Sequence, residues 1–422
     1  MKVIVVGAGI GGLSTALMLH QRGIHAEVYE QSTEVREAGV GINTLPHAIR
    51  ELADLGLLPA LDSVGIRTRE LIYYNRLGQQ VWRELRGTDA GHSYPQFSIH
   101  RGRLQKVIYD AVRERLGPDA VRTGLSLSGF LQDEGGVTAH FTDSRDGGAG
   151  RTVRGDVLIC ADGIHSVARQ QFYPDQGSPS WNGVLMWRGA TDWPAWRDGR
   201  TMAIGGGMGA KFVLYPIGGG TDGRQLMNWV VCIKMADGQV SPPPKDSWSR
   251  RALRSLVLPY AKRFDIPDFD ITGLVEATPE AFEYPMCDRD PLPRWTFGRV
   301  TLLGDAAHPM YPVGSNGASQ AILDARTLAD ALAYAEHPGE ALWAYERERL
   351  PATAEVVRVN RVGGPERVID EVEKLAPGGF TDVDAVLSRA ERQEIAVGYA
   401  GTAGFATKTR RFAERRITSA QR

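Results

Sequence analysis

Three cysteines are all this chain of 422 residues contains, and Cys160, Cys232 and Cys287 are widely spaced, with no CxxC pair among them. That excludes a disulfide framework and a cysteine-rich zinc site, so reduced core thiols in a cytoplasmic protein, and no metal, are expected. No apolar run approaches the roughly 18 residues a membrane span needs. No charged leader with an apolar stretch precedes the first strand, so neither a signal peptide nor stable membrane association is expected. The 49 basic and 50 acidic residues leave a formal charge of −1, and nothing points to nucleic acid or another polyanion as a partner. Internal repeats are also missing.

What is present starts at the N-terminus. Val3-Ile4-Val5-Val6 is a continuous apolar run of the buried-strand type, and it breaks into Gly7-Ala8-Gly9-Ile10-Gly11-Gly12. A helix over 13–21 follows, then a second strand over 26–29 ending in Glu30. The glycines of GxGxxG turn the chain tightly and let backbone amides approach a pyrophosphate at the helix N-terminus. Glu30 lies roughly 20 residues beyond the last glycine, where a carboxylate takes the hydroxyls of an adenosine ribose. Strand, helix, second strand and terminal acid in register predict a dinucleotide site.

Further along, helical periodicity covers 44–57 and 103–116, and 71–85 reads as a β-hairpin. Strands are expected near 126–131, 137–142 and 156–161, the last a parallel-type run. From about 177 to 290 the texture changes to short β-runs between Gly and Pro clusters. Strands over 211–217 and 225–233 form a mostly antiparallel sheet, and the glycine-rich stretch 205–209 reads as a hairpin turn. Seven of the nine tryptophans fall between Trp181 and Trp295. Part of them is expected as core and part as an aromatic wall for a flat ligand. A parallel-type strand over 299–303 then runs into Gly304-Asp305, followed by helices over 318–334 and 339–361.

Three segments place an acid and a glycine at the C-terminal end of a strand: Gly7 to Glu30, Asp162-Gly163, and Gly304-Asp305. Ligands bind outside such strand ends, so the three can converge on one extended cofactor. With Gly39-Val40-Gly41-Ile42-Asn43, the stretch from Tyr94 to Gly102, Met186-Trp187-Arg188-Gly189 and the stretch from Tyr284 to Pro293, they resemble the class A flavoprotein monooxygenases. These are aromatic hydroxylases of the p-hydroxybenzoate and salicylate hydroxylase type, and the chain is most similar to the phenazine-1-carboxylate-modifying branch. The resemblance covers about residues 1–360. It implies an α/β fold: a Rossmann-like FAD-binding domain of the p-hydroxybenzoate hydroxylase type, an inserted, mostly antiparallel substrate-binding sheet and a C-terminal helical region. FAD-binding parts are expected at 1–70, 98–176 and 291–362. Substrate-domain parts fall at 71–97 and 177–290, and a helical tail at 363–422 covers the core or an oligomer interface.

Carried over by resemblance, Gly7, Gly9 and Gly12 hold the FAD pyrophosphate and Glu30 the ribose. Arg101, with Gln105 one turn on, reaches the diphosphate region. Asp162 serves FAD and the nicotinamide, and Asp305 takes a ribitol hydroxyl. Cys160 stands where the family usually has glycine. The loop from Pro309 to Ala318 opens into a helix whose N-terminus favours negative charge, which suits reduced flavin. Pro312, Gly314 and Asn316 are therefore placed at the reacting edge, with Gly317 and Ala318 on the cofactor. Tyr73, Trp187, Arg188, Tyr215 and Pro312 are expected at the substrate, Tyr73 and Tyr215 as phenols that orient or deprotonate it. His308 and His165 are read as structural.

There is one GxGxxG and no second βαβ unit, so NADH or NADPH binds transiently as a co-substrate. The implied reaction is hydroxylation of a small planar aromatic substrate by O2 through a flavin C4a-hydroperoxide, with or without oxidative decarboxylation, by a monomer or homodimer. An FAD oxidase or dehydrogenase without oxygen insertion and a non-enzymatic flavin-binding sensor are the alternatives. Halogenation is disfavoured because no WxWxIP pattern occurs.

Overall fold

Val3, Ile4, Val5 and Val6 are all buried, and their strand, Lys2–Val6, runs inside a six-stranded sheet. The order is Thr296–Phe297, Val300–Leu302, Val157–Cys160, Lys2–Val6, His25–Glu30 and Val121–Thr123, parallel except at the first edge strand. Parallel strands need cover on both faces, which is why they read as unbroken apolar runs. The helices Ile10–Gln21, Arg101–Leu116 and Gly317–Tyr334 supply part of that cover. The structure, a computed structural model, describes residues 1–35, 39–220, 222–236 and 250–406; Trp248 and the end of the tail fall outside these residues. No helix among the described residues is long and apolar enough to cross a membrane.

A second, eight-stranded sheet runs Arg250–Ala252, Ala281–Asp288, Ser180–Pro194, Arg224–Lys234, Ala210–Gly219, Thr201–Gly205, Glu70–Tyr74 and Gln80–Leu85. It is antiparallel except where Thr201–Gly205 joins Glu70–Tyr74. Two smaller sheets have three strands each. One of these includes Gly41–Thr44, which passes so close to the large sheet that a Cβ on Gly41 would lie 2.5 Å from the Tyr215 ring.

The aromatic face of the large sheet corrects the expected ligand wall. Trp187, Trp196, Phe212 and Trp229 turn toward the helices Arg254–Ala261 and Ile271–Ala277 and pack on Val257, Ala261 and Leu274. Trp187 is buried there, stacks on Tyr260 at 5.3 Å between centroids, and donates its indole N–H to Glu283 (2.9 Å). Successive strand residues alternate faces, so Arg188 points the opposite way, into a cavity between the two sheets. Trp187 is therefore a core residue and does not meet the substrate.

The described part of the tail, 364–406, folds back over the sheet. Val368, Ile369 and Val372 of the helix Arg367–Leu375 pack on Leu71, Tyr73 and Ile204. The last described helix, Arg389–Thr402, starts with a capping box in which Ser388 and Glu391 each bind the other's backbone. Its Tyr399 enters the interior beside the 312–317 loop.

Candidate active site

The glycine loop divides into residues the chain needs for its own packing and one it leaves open. Gly7 has φ +99°, donates its amide to the Tyr29 carbonyl (2.7 Å), and has the Ala161 oxygen 2.4 Å from where a Cβ would sit. A Cβ on Gly12 would lie 2.0 Å from the Gly7 oxygen. Neither glycine lines the cavity, so both act on a ligand only by shaping the loop. At Gly9, by contrast, a Cβ would find no protein atom within 4 Å. Gly9 caps the helix Ile10–Gln21 without a side-chain bond, which leaves the first-turn amides directed at the cavity.

Glu30 and Gln105 grip the peptide of Ala8 from two sides. Glu30 accepts from the Ala8 amide (2.8 Å) and the Ser32 amide (2.8 Å), and Gln105 donates to the Ala8 carbonyl (2.6 Å). Both therefore position the loop. Each Glu30 oxygen keeps a second lone pair for a hydroxyl.

Arg101, Asp305, Gly317 and Ala318 line the cavity directly. Asp305 is an exposed residue at that cavity, yet the protein packed around it raises its carboxyl, against the pull of His308 and Arg101. Asp162 stands between the cavity-lining Ala161 and Gly163 and accepts from the Val167 amide through Oδ2 (2.8 Å), whereas its buried Oδ1 has no hydrogen-bond partner among the described residues. Desolvation raises this carboxyl as well. His308 is structural: its Nε2 meets Asp324 at 2.5 Å, and Asp324 also binds Arg349 (2.7 Å) and the Gly304 amide (3.2 Å). This buried triad fixes the Gly304-Asp305 turn.

Pro312, Gly314 and Asn316 border the cavity, with Gly314 at φ +64° and Ser315 at φ +60°. The Asn316 side chain is fully buried and spent within the protein: Nδ2 donates to Gly314 O (3.0 Å) and Tyr399 Oη (2.7 Å), and Oδ1 accepts from Gln320 (3.1 Å). The Asn316 side chain thus holds the loop and takes no direct part at the cavity. Only its backbone remains to face a ligand.

On the large sheet, strand parity selects the cavity wall. Leu71 and Tyr73, Met186 and Arg188, Met202 and Ile204, Lys211, Val213 and Tyr215, and Val230 and Cys232 all face inward. Burial raises the Tyr73 and Tyr215 phenols, so both stay neutral near pH 7. Tyr73 donates to Glu84 (2.9 Å) and accepts from Arg86 (3.1 Å). Arg188 donates to the Gly41 carbonyl (2.5 Å) and hydrogen-bonds Tyr215. Three charged residues at the cavity escaped the sequence reading: Arg86, Lys211 and Glu366, the last two a buried ion pair. Lys211 was detectable, because it shares the inward parity of Val213 and Tyr215. Arg86 and Glu366 carry no such local signal.

These residues fit FAD. An open glycine before a free helix N-terminus suits a pyrophosphate, and the orphaned Asp162 oxygen and the cavity-facing Asp305 suit hydroxyl or N–H groups. A second helix N-terminus at Gly317 suits an electron-rich ring edge. The chain belongs to the FAD-binding-domain family, whose model matches residues 1–260 and 272–360. Phenazine 1,6-dicarboxylic acid hydroxylase PhzS of Lysobacter antibioticus is 44% identical over 363 residues, 85% of this chain and 89% of that protein. The 3-amino-4-hydroxybenzoate 2-monooxygenase of Streptomyces cremeus is 31% identical, covering 85% of each chain. A Klebsiella pneumoniae HpxO variant solved with FAD superposes with a TM-score of 0.74 at 26% identity, covering 96% of this chain and 99% of that one. The protein is an FAD-dependent aromatic monooxygenase of class A, drawing on NADH or NADPH and O2. The oxidase and sensor readings are not favoured.

Proposed function

We propose that the substrate is a planar, multi-ring aromatic carboxylic acid and that Arg188 anchors its carboxylate. Arg188 carries the reading: it faces the cavity, has no carboxylate partner among the described residues, and keeps a buried Nε without a hydrogen bond. A cation in that position is stabilised by a ligand anion, and charge-assisted hydrogen bonds are the strong ones. The resemblance to a hydroxylase of phenazine 1,6-dicarboxylic acid agrees with this substrate class. Arg86, its buried Nε without a hydrogen bond among the described residues, stands beside Tyr73, which lies two strands from Tyr215 on the same wall.

On this reading Gly9 and the first-turn amides face the FAD pyrophosphate, Glu30 the adenosine ribose, and Arg101 the diphosphate. Asp162 and Asp305 take groups nearer the flavin, and the 312–318 backbone faces the pyrimidine edge. Bound FAD supplies hydride acceptance and oxygen activation. The protein orients the ring between Tyr73, Tyr215 and Met186, holds the carboxylate on Arg188 and excludes water. Hydroxylation consumes one O2, one NAD(P)H and one proton and releases water. If the carboxylate sits on the attacked carbon, CO2 leaves in place of a ring proton. A reducing cytoplasmic setting is in keeping with free cysteines, two of them buried.

Two measurements check these assignments. Phenazine carboxylic acids and hydroxybenzoates should stimulate NAD(P)H oxidation with products one oxygen heavier, or one oxygen heavier and one CO2 lighter. Arg188→Met should weaken binding of the acids roughly 10- to 100-fold while leaving the corresponding neutral amides within about threefold. Equal losses for acids and amides would remove Arg188 as the anchor. Asp305→Ala should lower FAD affinity by roughly 10- to 100-fold, read by flavin fluorescence. A fully yellow variant after gel filtration at sub-micromolar protein would show that Asp305 does not hold the cofactor.

A further inference from the structure

A single chain of hydrogen bonds runs from the buried triad to the far end of the 312–317 loop, and its direction is determined by chemistry. Arg349 has donors only, so its contact with Gln320 Oε1 (2.6 Å) makes Gln320 Nε2 the donor to Asn316 Oδ1 (3.1 Å). Asn316 Nδ2 then donates to Tyr399 Oη (2.7 Å), Tyr399 donates to Asn360 Oδ1 (2.7 Å), and Asn360 Nδ2 donates to the Tyr311 carbonyl (3.1 Å). All five side chains are buried, and no amide in the series can flip without breaking a bond. Tyr399 comes from the last described helix and is the link that closes the series. Its ring also lies where a Cβ of Gly314 would stand, 2.4 Å away, so glycine at 314 leaves room for the tyrosine.

We propose that Tyr399 is a positioning residue for the cofactor. Through Asn316 it holds the Val313–Ser315 turn and the start of the helix Gly317–Tyr334, so their amides point at the electron-rich edge of FAD. The C-terminal helix thereby tunes how strongly the protein prefers reduced over oxidised flavin. This rests on the placement of the 312–318 backbone along the pyrimidine edge. Reduced flavin carries the greater negative charge there, so amides held in place favour it selectively.

The test is Tyr399→Phe, which keeps the ring against Gly314 and removes only the hydroxyl. Dissociation constants for oxidised and reduced FAD are measured on the full chain under anaerobic conditions, with the two-electron midpoint potential as an independent readout. Affinity for reduced FAD should fall about tenfold more than affinity for oxidised FAD, equivalent to a potential lower by ~30 mV. A structural lesion alone would lower both affinities together and leave the potential unmoved. Asn360→Ala, which frees the tyrosine hydroxyl from its other side, should shift the ratio in the same direction by a smaller factor, and it carries the test if Tyr399→Phe does not fold. A ratio and potential unchanged in folded variants would overturn the proposal. Failure of the parent protein to bind FAD would instead overturn the cofactor placement on which it rests.

Discussion

Asp324→Ala should destabilise the fold by about 3–5 kcal/mol, the effect of removing one partner from a buried ion pair. Asp324 is fully buried on the helix Gly317–Tyr334 and meets His308, Arg349 and the Gly304 amide. Without it Arg349 keeps its guanidinium in the interior with only amide oxygens around it, and the Gly304-Asp305 turn loses its tether. The loss should carry a pH signature. Burial pushes the Asp324 carboxyl up, but His308 and Arg349 together hold it below the usual value in the folded state. A carboxyl depressed by folding contributes stability above its unfolded pKa of about 3.9, and that contribution disappears as pH falls through the lower folded value. The difference between parent and variant should thus be full at pH 7 and shrink below about pH 4. Urea titrations of the holoprotein across that range measure it, and a pH-independent difference would contradict the charge-based account.

A pair of glycine substitutions should separate folding from cofactor binding. Gly7→Ala meets two penalties, a left-handed backbone and an oxygen of Ala161 2.4 Å from the new methyl. The first costs about 1 kcal/mol and the overlap 1–3 kcal/mol more. The variant should be less stable and also lose FAD, because the first turn moves with the peptide between Glu30 and Gln105. Gly9→Ala meets no protein atom and should keep stability within about 0.5 kcal/mol. If the pyrophosphate lies against Gly9, its methyl should nevertheless weaken FAD at least tenfold. A Gly9→Ala protein that binds FAD normally would move the pyrophosphate elsewhere.

Much of this was written locally. The apolar run Val3 to Val6, the glycines after it and Glu30 depend on backbone sterics and strand burial, which neighbouring residues determine by themselves. The same holds for Gly304-Asp305 at the end of Val300–Leu302, and for the hairpin at 205–209 between Thr201–Gly205 and Ala210–Gly219. Trp187 and Arg188 were both expected at the substrate, but the strand Ser180–Pro194 turns them to opposite faces. Which side is the cavity depends on where the helices Arg254–Ala261 and Ile271–Ala277 pack, so the part of the tryptophans expected as a ligand wall, Trp187 among them, proved to be core.

From its sequence alone the chain determined a dinucleotide-type βαβ start, three acidic strand ends and a glycine-bearing loop before a helix, since periodicity and turn chemistry act over a few residues. Only the tertiary structure decided that Tyr399 completes the polarised series through Asn316, that Lys211 pairs with Glu366, and that Arg188 stands in the cavity without an ion-pair partner among the described residues. Such partners lie tens to hundreds of residues apart, and the packing that brings them together belongs to the whole chain, leaving no trace in the spacing of any one segment.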